Sequence, residues 1–404
     1  MKQTKAMIAV SAALSVVATT LILPILSPLI RELHLSVSQG GLMLSIGSVV
    51  MVLAAPLWGK ASDRYGRKMV IVAGFLGILV GYALYTGVVI AGLHGLLTVS
   101  VTFLALTASR AAVGAFLSSI PAGTQALMAD ITGAGERASG MAIISAATGL
   151  GLIAGPAVSG ILSTSGITWP LFAAIAFCGL GAIIALVFLK DPPVAVSNPS
   201  PKTKLFSVGL QPWLLAGVVL WFAIATMQIV AGFYFQDRLG LDASATARML
   251  SLALTLVGVA MFGVPLLQMR VLKLAPRALI LAGASLWVAG LLVLLSTTNA
   301  LSYYVGFMLL GLGAGCLLPG VMAGASLAVD HDGQGVAAGL VSATQGIGFI
   351  IAPAVSTVLY EWNETLPLWL LTALMALLVM KFAITRRVGP LQRQAVIGID
   401  HRMQ

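Results

Sequence analysis

Charged side chains are what this sequence has least of. They make up 8% of its 404 residues, against roughly 25% in a soluble domain, too few to cover a water-exposed surface of this size. Most of the surface therefore faces lipid. Acidic residues are the scarcer kind, twelve against 22 basic ones. Each lies in a loop or at the end of an apolar run: Glu32, Asp63, Asp130, Glu136, Asp191, Asp237, Asp242, Asp330, Asp332, Glu361, Glu364 and Asp400. The two cysteines, Cys178 and Cys316, read as small core residues and not as a disulfide or metal pair. There is no H-E-x-x-H pair and no nucleophile with a base at readable spacing, so an enzyme active site has no residues to rest on. A Walker A loop is missing: Gly59-Lys60 is followed by Ala61 and lacks the upstream glycine. No filter or ring of charge marks a channel. Period-two alternation is missing too, which excludes a membrane β-barrel.

What the chain does have is apolar runs long enough to cross a hydrocarbon core of about 30 Å as helices. Twelve are expected, at 6–30, 39–58, 69–91, 97–128, 138–163, 168–189, 210–235, 244–269, 277–297, 302–328, 335–359 and 366–385. The first is read as a span and not a cleaved signal, because its run is too long and no small-x-small site follows. An even number puts both termini on one side. That side then carries every basic residue except Arg31, Arg110, Arg238 and Arg248, so by the positive-inside rule it is the cytoplasm. The net charge of +10 is this asymmetry and does not call for nucleic acid.

The longest polar break, 190–207, reads as a cytoplasmic linker of Pro, Ser and Lys. It separates a six-helix bundle at 1–189 from a second at 208–385, with a tail at 386–404. The halves repeat: "GLGLIAGPAVS" (149–159) matches "GIGFIIAPAVS" (346–356) in order. The fold class expected is all-α and integral to the membrane, with twelve helices in two six-helix bundles and a site between them at mid-membrane.

Between the second and third spans stands Gly59-Lys-Ala-Ser-Asp63-Arg64-Tyr-Gly66-Arg67-Lys68. Leu106-x-x-x-Arg110-x-x-x-Gly114 lies in the fourth span and Gly151-x-x-x-Gly155-Pro156-x-x-Ser159-Gly160 in the fifth. Together these resemble the signature loop and two further motifs of the major facilitator superfamily, the last being the antiporter motif of its twelve-helix drug/proton antiporters. Ser159-Gly160 departs from that motif's common Gly-Gly ending. The resemblance implies a secondary active transporter that works by alternating access and exports amphipathic, drug-like organic molecules in exchange for protons. Export of an endogenous metabolite such as a siderophore is the alternative; uptake is disfavoured by the Gly-Pro motif. It further implies a bacterial cytoplasmic-membrane protein, a monomer, with small-molecule substrate, protons and the bilayer as partners and neither cofactor nor metal.

The residues carry specific expectations. Asp63 and Arg67, four apart, can pair on one helical face. With Gly59, Arg64, Gly66, Asp130 and Arg137 they form a gating network, Asp63 meeting the N-terminus of the eleventh span when the cytoplasmic side is closed. Its second-half counterpart has Leu272 in place of Asp63, so this gate is asymmetric. Gly151, Gly155, Pro156 and Gly160 form a helix-packing motif, read either as a seal between the two bundles, with Gly258 and Gly263 of the eighth span as partner surface, or as ordinary close packing of membrane helices. Arg110, deep in a span, needs a polar partner or a route to the headgroups. Related exporters often have a carboxylate in the first span; here none precedes Glu32. Arg110, Glu32 and Asp237 are thus the proton-coupling candidates. Cavity candidates are Thr20, Ser27, Arg110, Thr124, Gln125, Trp221, Gln228, Tyr234, Tyr304, Phe307 and Met308, a set suited to an amphipathic molecule.

Overall fold

A computed structural model describes residues 2–132, 136–191, 209–268, 274–296, 298–330 and 333–384. Among them the regular elements are all helices: α1 (Lys2–Thr20), α2 (Leu23–Glu32), α3 (Val37–Tyr65), α4 (Arg67–Leu93), α5 (Val99–Leu117), α6 (Ser119–Ile131), α7 (Arg137–Leu162), α8 (Trp169–Phe188), α9 (Gln211–Leu239), α10 (Ala243–Leu267), α11 (Pro276–Ser296), α12 (Ala300–Leu327), α13 (Gln334–Trp362) and α14 (Leu366–Ile384). They make twelve spans, because α1–α2 and α5–α6 are each one crossing with a break. Pro24 stands in the first turn of α2, and Pro121 follows the break at Ser118. Proline there removes a backbone donor and interrupts the ladder. The expected linker lies outside the described residues except for Lys190 and Asp191, as do Leu272 and the tail.

Helices are the form this sequence must take, since lipid offers no partner for free backbone groups. Where a chain end must stop, side chains supply the bond. Ser36 and Gln39 form a capping box on α3, and Thr98, Asp242 and Asn299 cap α5, α10 and α12.

The same packing pairs recur in both halves. In the first, α1 packs on α7, α3 and α4 on α5, and α4 on α8; in the second, α9 packs on α13, α10 and α11 on α12, and α11 on α14. Four helix pairs join the bundles: α3 with α13, α7 with α10, and α2 with both α10 and α9. Cys178 and Cys316 are buried and unbridged.

The bundles meet unevenly. Call the end bearing Lys5 and Ile384 the near end, and the opposite one the far end. From the far end inward, a Cβ on Gly41 would collide with Thr357, the Ala354 N–H donates to Ser45 Oγ at 3.1 Å, and Gly346 lies against Val52. Past that level the contact stops. Ala55 and Pro56, which continue the face of α3 that carries Ser45 and Val52, are exposed, and nothing comes within 4 Å of a Cβ on Gly59, Gly335 or Gly339. The molecule is closed at the far end and splayed at the near end.

A water-soluble maleimide should therefore label Ala55→Cys and Gly339→Cys far faster than Ser45→Cys. Equal labelling of all three would contradict this geometry.

Candidate functional site

At the near end, Arg67 gathers the loop between α3 and α4. Its guanidinium bonds the carboxylate of Asp63, the Ser62 hydroxyl at 3.1 Å and Asp130 of α6 at 3.0 Å. The i, i+4 spacing and the short chain reversal place all three within its reach. Arg64 is turned away, stacked on Tyr65 at 5.2 Å. Gly59 has open space around it. Arg137 begins α7; its side chain lies outside the described residues. Among the described residues Asp63 makes its hydrogen bond and ion pair to Arg67, and neither to α13.

Asp191, which sequence reasoning left in the linker, is part of this loop. It accepts the Lys68 N–H at 2.7 Å, satisfying one of the free amides at the start of α4. Gly66, at φ 94°, is the residue that lets it in: a Cβ there would stand 2.4 Å from Asp191 Oδ2. Nearby, Lys5 donates to Glu136 at 2.7 Å, and this bond holds the Glu136 carboxyl below the ordinary carboxylate range. The depressed value means the link is present above that range and is lost as pH falls through it.

The fifth-span glycines divide between the two readings. Gly151 and Gly155 face Ala13, Val16, Val17 and Thr20 of α1, so they pack α7 within its own bundle. The bundle-to-bundle contacts come from Gly149 against Phe262 and Gly160 against Ser251. On α10, Gly258 meets Ile153 of α7, whereas Gly263 meets nothing. Gly348, equivalent to Gly151 in the repeat, packs α13 on Trp221 of α9. The glycines are thus mainly a device for close approach inside each half, and Pro156 sits among them.

Arg110 does not reach for the headgroups. It points into the first bundle toward the buried phenols of Tyr82 and Tyr85, and its Nε is enclosed without a partner. No carboxylate among the described residues pairs with it.

The cavity candidates separate. On α9, Trp221 and Gln228 are half-buried and share a face with Gly232, which abuts Ser27 across the bundle interface. Gln125 is exposed on α6. Ser27 is buried in the closed far half. The remaining cavity assignments are corrected. Thr20 and Thr124 are buried and bond their own helix carbonyls, Val16 and Ile120. Tyr234 donates to the Leu294 carbonyl at 3.1 Å and lies edge-on to Tyr303, while Phe235 joins Tyr303 to Phe307. Tyr234 and Phe307 are therefore aromatic core of the second bundle. Tyr304 and Met308 line a different, apolar groove of about 250 Å³ with Leu256, Val305 and Leu309. A face missed from sequence completes the wall: Gln345 and Phe349 of α13, four apart, lie opposite the exposed stripe of Ile347, Ile351 and Val358. Phe349 packs on Trp221 at 5.8 Å.

Against known proteins, the model of the Major Facilitator Superfamily matches residues 8–273 and 248–397. The chain belongs to the Major Facilitator Superfamily. It is 26% identical over 395 residues to the class C tetracycline resistance protein of Escherichia coli, covering 90% of this chain and 93% of that one. It is likewise 26% identical over 370 residues to multidrug resistance protein 1 of Bacillus subtilis (strain 168), covering 88% and 90%. Among solved structures, the peptide transporter POT in complex with sulfate superposes with a TM-score of 0.76 at 13% identity, over 96% and 95% of the two chains. The nucleoside transporter NupG (D323A mutant) gives 0.75 at 12%, over 95% and 100%. This is a multi-pass membrane transporter of that superfamily, and not an enzyme.

The transporter's far end is held by a polar clasp. Arg31 of α2 pairs with Asp237 of α9 at 2.7 Å, and Tyr360 of α13 donates to the same carboxylate. Glu361 accepts the Ser38 N–H at 2.9 Å and the Ser38 hydroxyl at 2.6 Å, capping α3 from the other bundle. The signal for it is in the repeat. "RELHLS" (31–36) and "DRLGLD" (237–242) align so that Arg31 stands opposite Asp237, and His34 and Gly240 both take positive φ, 56° and 61°. Residues at equivalent positions near the relating axis meet each other, so opposite charges there attract where identical ones would repel. Of the proton-coupling candidates, Asp237 is thus engaged in the clasp, and Glu32 is exposed beside it.

Replacing Gly66 by Ala should cost about 1–3 kcal/mol through the positive φ and the Asp191 collision. Combining it with Asp191→Ala should cost less than the two single changes added, read from thermal unfolding. At the far end, Arg31 and Asp237 are 38% and 28% exposed, so the pair contributes about 1 kcal/mol or less. Asp237→Asn should accordingly shift the closed-to-open ratio no more than roughly fivefold toward far-end opening, seen in distances between spin labels across that end.

Proposed function

We propose that this transporter exports amphipathic organic molecules of the drug-like class across the bacterial cytoplasmic membrane by alternating access, in exchange for protons. On this reading the near end is cytoplasmic, following the excess of Lys and Arg on that side. The observation that carries it is the uneven meeting of the bundles. A half-polar, half-aromatic wall (Trp221, Phe349, Gln228, Gln345) opens toward the near end and is shut off from the far end by the clasp. Export requires that Arg31–Asp237 and Glu361–Ser38 part while the Asp63–Arg67–Asp130 group and the start of α13 come together. Relatives named for tetracycline and multidrug resistance support the drug-like substrate class. A dedicated metabolite exporter, of a siderophore for example, is the second reading, favoured by Arg110 if the molecule is anionic.

Coupling to protons rests on the likeness to exporters and on Arg110, Glu32 and Asp237, in the absence of a carboxylate deep in the first span. Everted membrane vesicles test it directly. An acid-inside gradient should drive saturable uptake of a fluorescent amphipathic substrate, and collapsing the gradient should abolish it. Uptake indifferent to the gradient would overturn proton exchange, and saturable movement in the opposite direction alone would overturn export.

A further inference from the structure

The cavity wall selects against one sign of charge. Every described acidic residue stands at a span end or beyond it; at the far end Asp237 and Glu361 are bonded into the clasp and Glu32 is exposed. Among the described residues the formal charge set deepest inside a span is Arg110. Its guanidinium is held among phenols with no carboxylate to cancel it. The Arg110 backbone lies against Gly47 of α3, and α3 in turn packs on α13, so the charge is one helix removed from Gln345 and Phe349. A low-dielectric wall screens such a charge poorly.

What faces the opening is neutral. Gln345 is exposed on α13, and Gln228 is half-buried on α9. Between them the Trp221 and Phe349 rings pack at 41°, both half-buried, which leaves aromatic surface available to a guest. Each glutamine offers both donors and acceptors, so either can bond a neutral polar group or donate to an anion. A lipophilic cation entering here would shed hydration, find no carboxylate, and meet a like charge behind the wall.

We infer that this cavity binds aromatic amphipathic molecules carrying no positive charge, neutral or anionic, and rejects lipophilic cations. The inference rests on the transport reading above for its biological meaning, but binding alone can test it. Three aromatic probes of similar build differ in charge: tetraphenylborate, triphenylphosphine oxide and tetraphenylphosphonium. With the full-length protein in maltoside micelles, the first two should quench tryptophan fluorescence saturably and bind at least about tenfold tighter than the phosphonium. Trp221→Ala should weaken both. A carboxylate placed in the wall should admit the cation: Gln345→Glu, and independently Gln228→Glu, should tighten phosphonium binding about tenfold and weaken the borate. Thermal unfolding identifies any variant that fails to fold, and the other glutamine then serves.

Phosphonium binding as tight as borate in the unaltered protein overturns the inference. So does an order that neither carboxylate variant changes, or the absence of saturable binding by all three. If the predicted order holds in micelles while reconstituted vesicles move none of the probes, charge selection stands and the transport reading fails.

Discussion

A charge inside hydrocarbon is costly unless it finds a partner, and much of this molecule follows from that. With so little charge to place, the chain keeps almost all of it at the span ends, and so the ion pairs among the described residues are made there too. At the far end they take the form of a clasp between bundles; at the near end, a network around Arg67 within one bundle. Both ends use one piece of physics repeatedly, a carboxylate set against the free amides of a helix N-terminus. Asp191 meets the start of α4, and Glu361 the start of α3. Such contacts are partly wet and individually weak.

The long apolar middle has the opposite character. There the helices are fitted by glycine and small side chains. Gly151 against α1 and Gly348 against α9 are the same contact in two copies. Each packs a helix within its own bundle, so each bundle coheres through contacts of its own. The repeat also explains an asymmetry at the far end. A relating axis brings equivalent positions face to face, and the sequence answers with Arg31 in one copy and Asp237 in the other. At the near end, Asp63 of the first half has Leu272 as its counterpart.

Legibility varied with distance along the chain. Asp63, Arg67 and Asp130 could be grouped from sequence because two are a helical turn apart and the third ends a helix on the same side. The spans could be marked because hydrophobic length is local information. The cavity wall could not be assigned residue by residue. Trp221 and Tyr234 lie on the same helix and read alike, yet the first faces the opening and the second bonds the Leu294 carbonyl inside the bundle. An aromatic ring in a uniformly apolar helix has no polar face to say which way it points. For the same reason Phe349 and Gln345 were missed, and Tyr304 and Met308 were grouped with a cavity they do not share.

The sequence by itself determined that the chain lives in a membrane, crosses it twelve times and repeats itself once, because hydrocarbon thickness and backbone hydrogen bonding leave few other solutions. It also determined that no carboxylate stands deep in a span. Which faces of those helices meet was decided only in three dimensions: that Gly151 and Gly155 serve α1, that Arg110 turns inward to Tyr82 and Tyr85, that Glu361 reaches Ser38 over 323 positions of sequence. In a helix apolar on all sides, facing is set by the shape of the neighbours, and shape is a property of the packed whole.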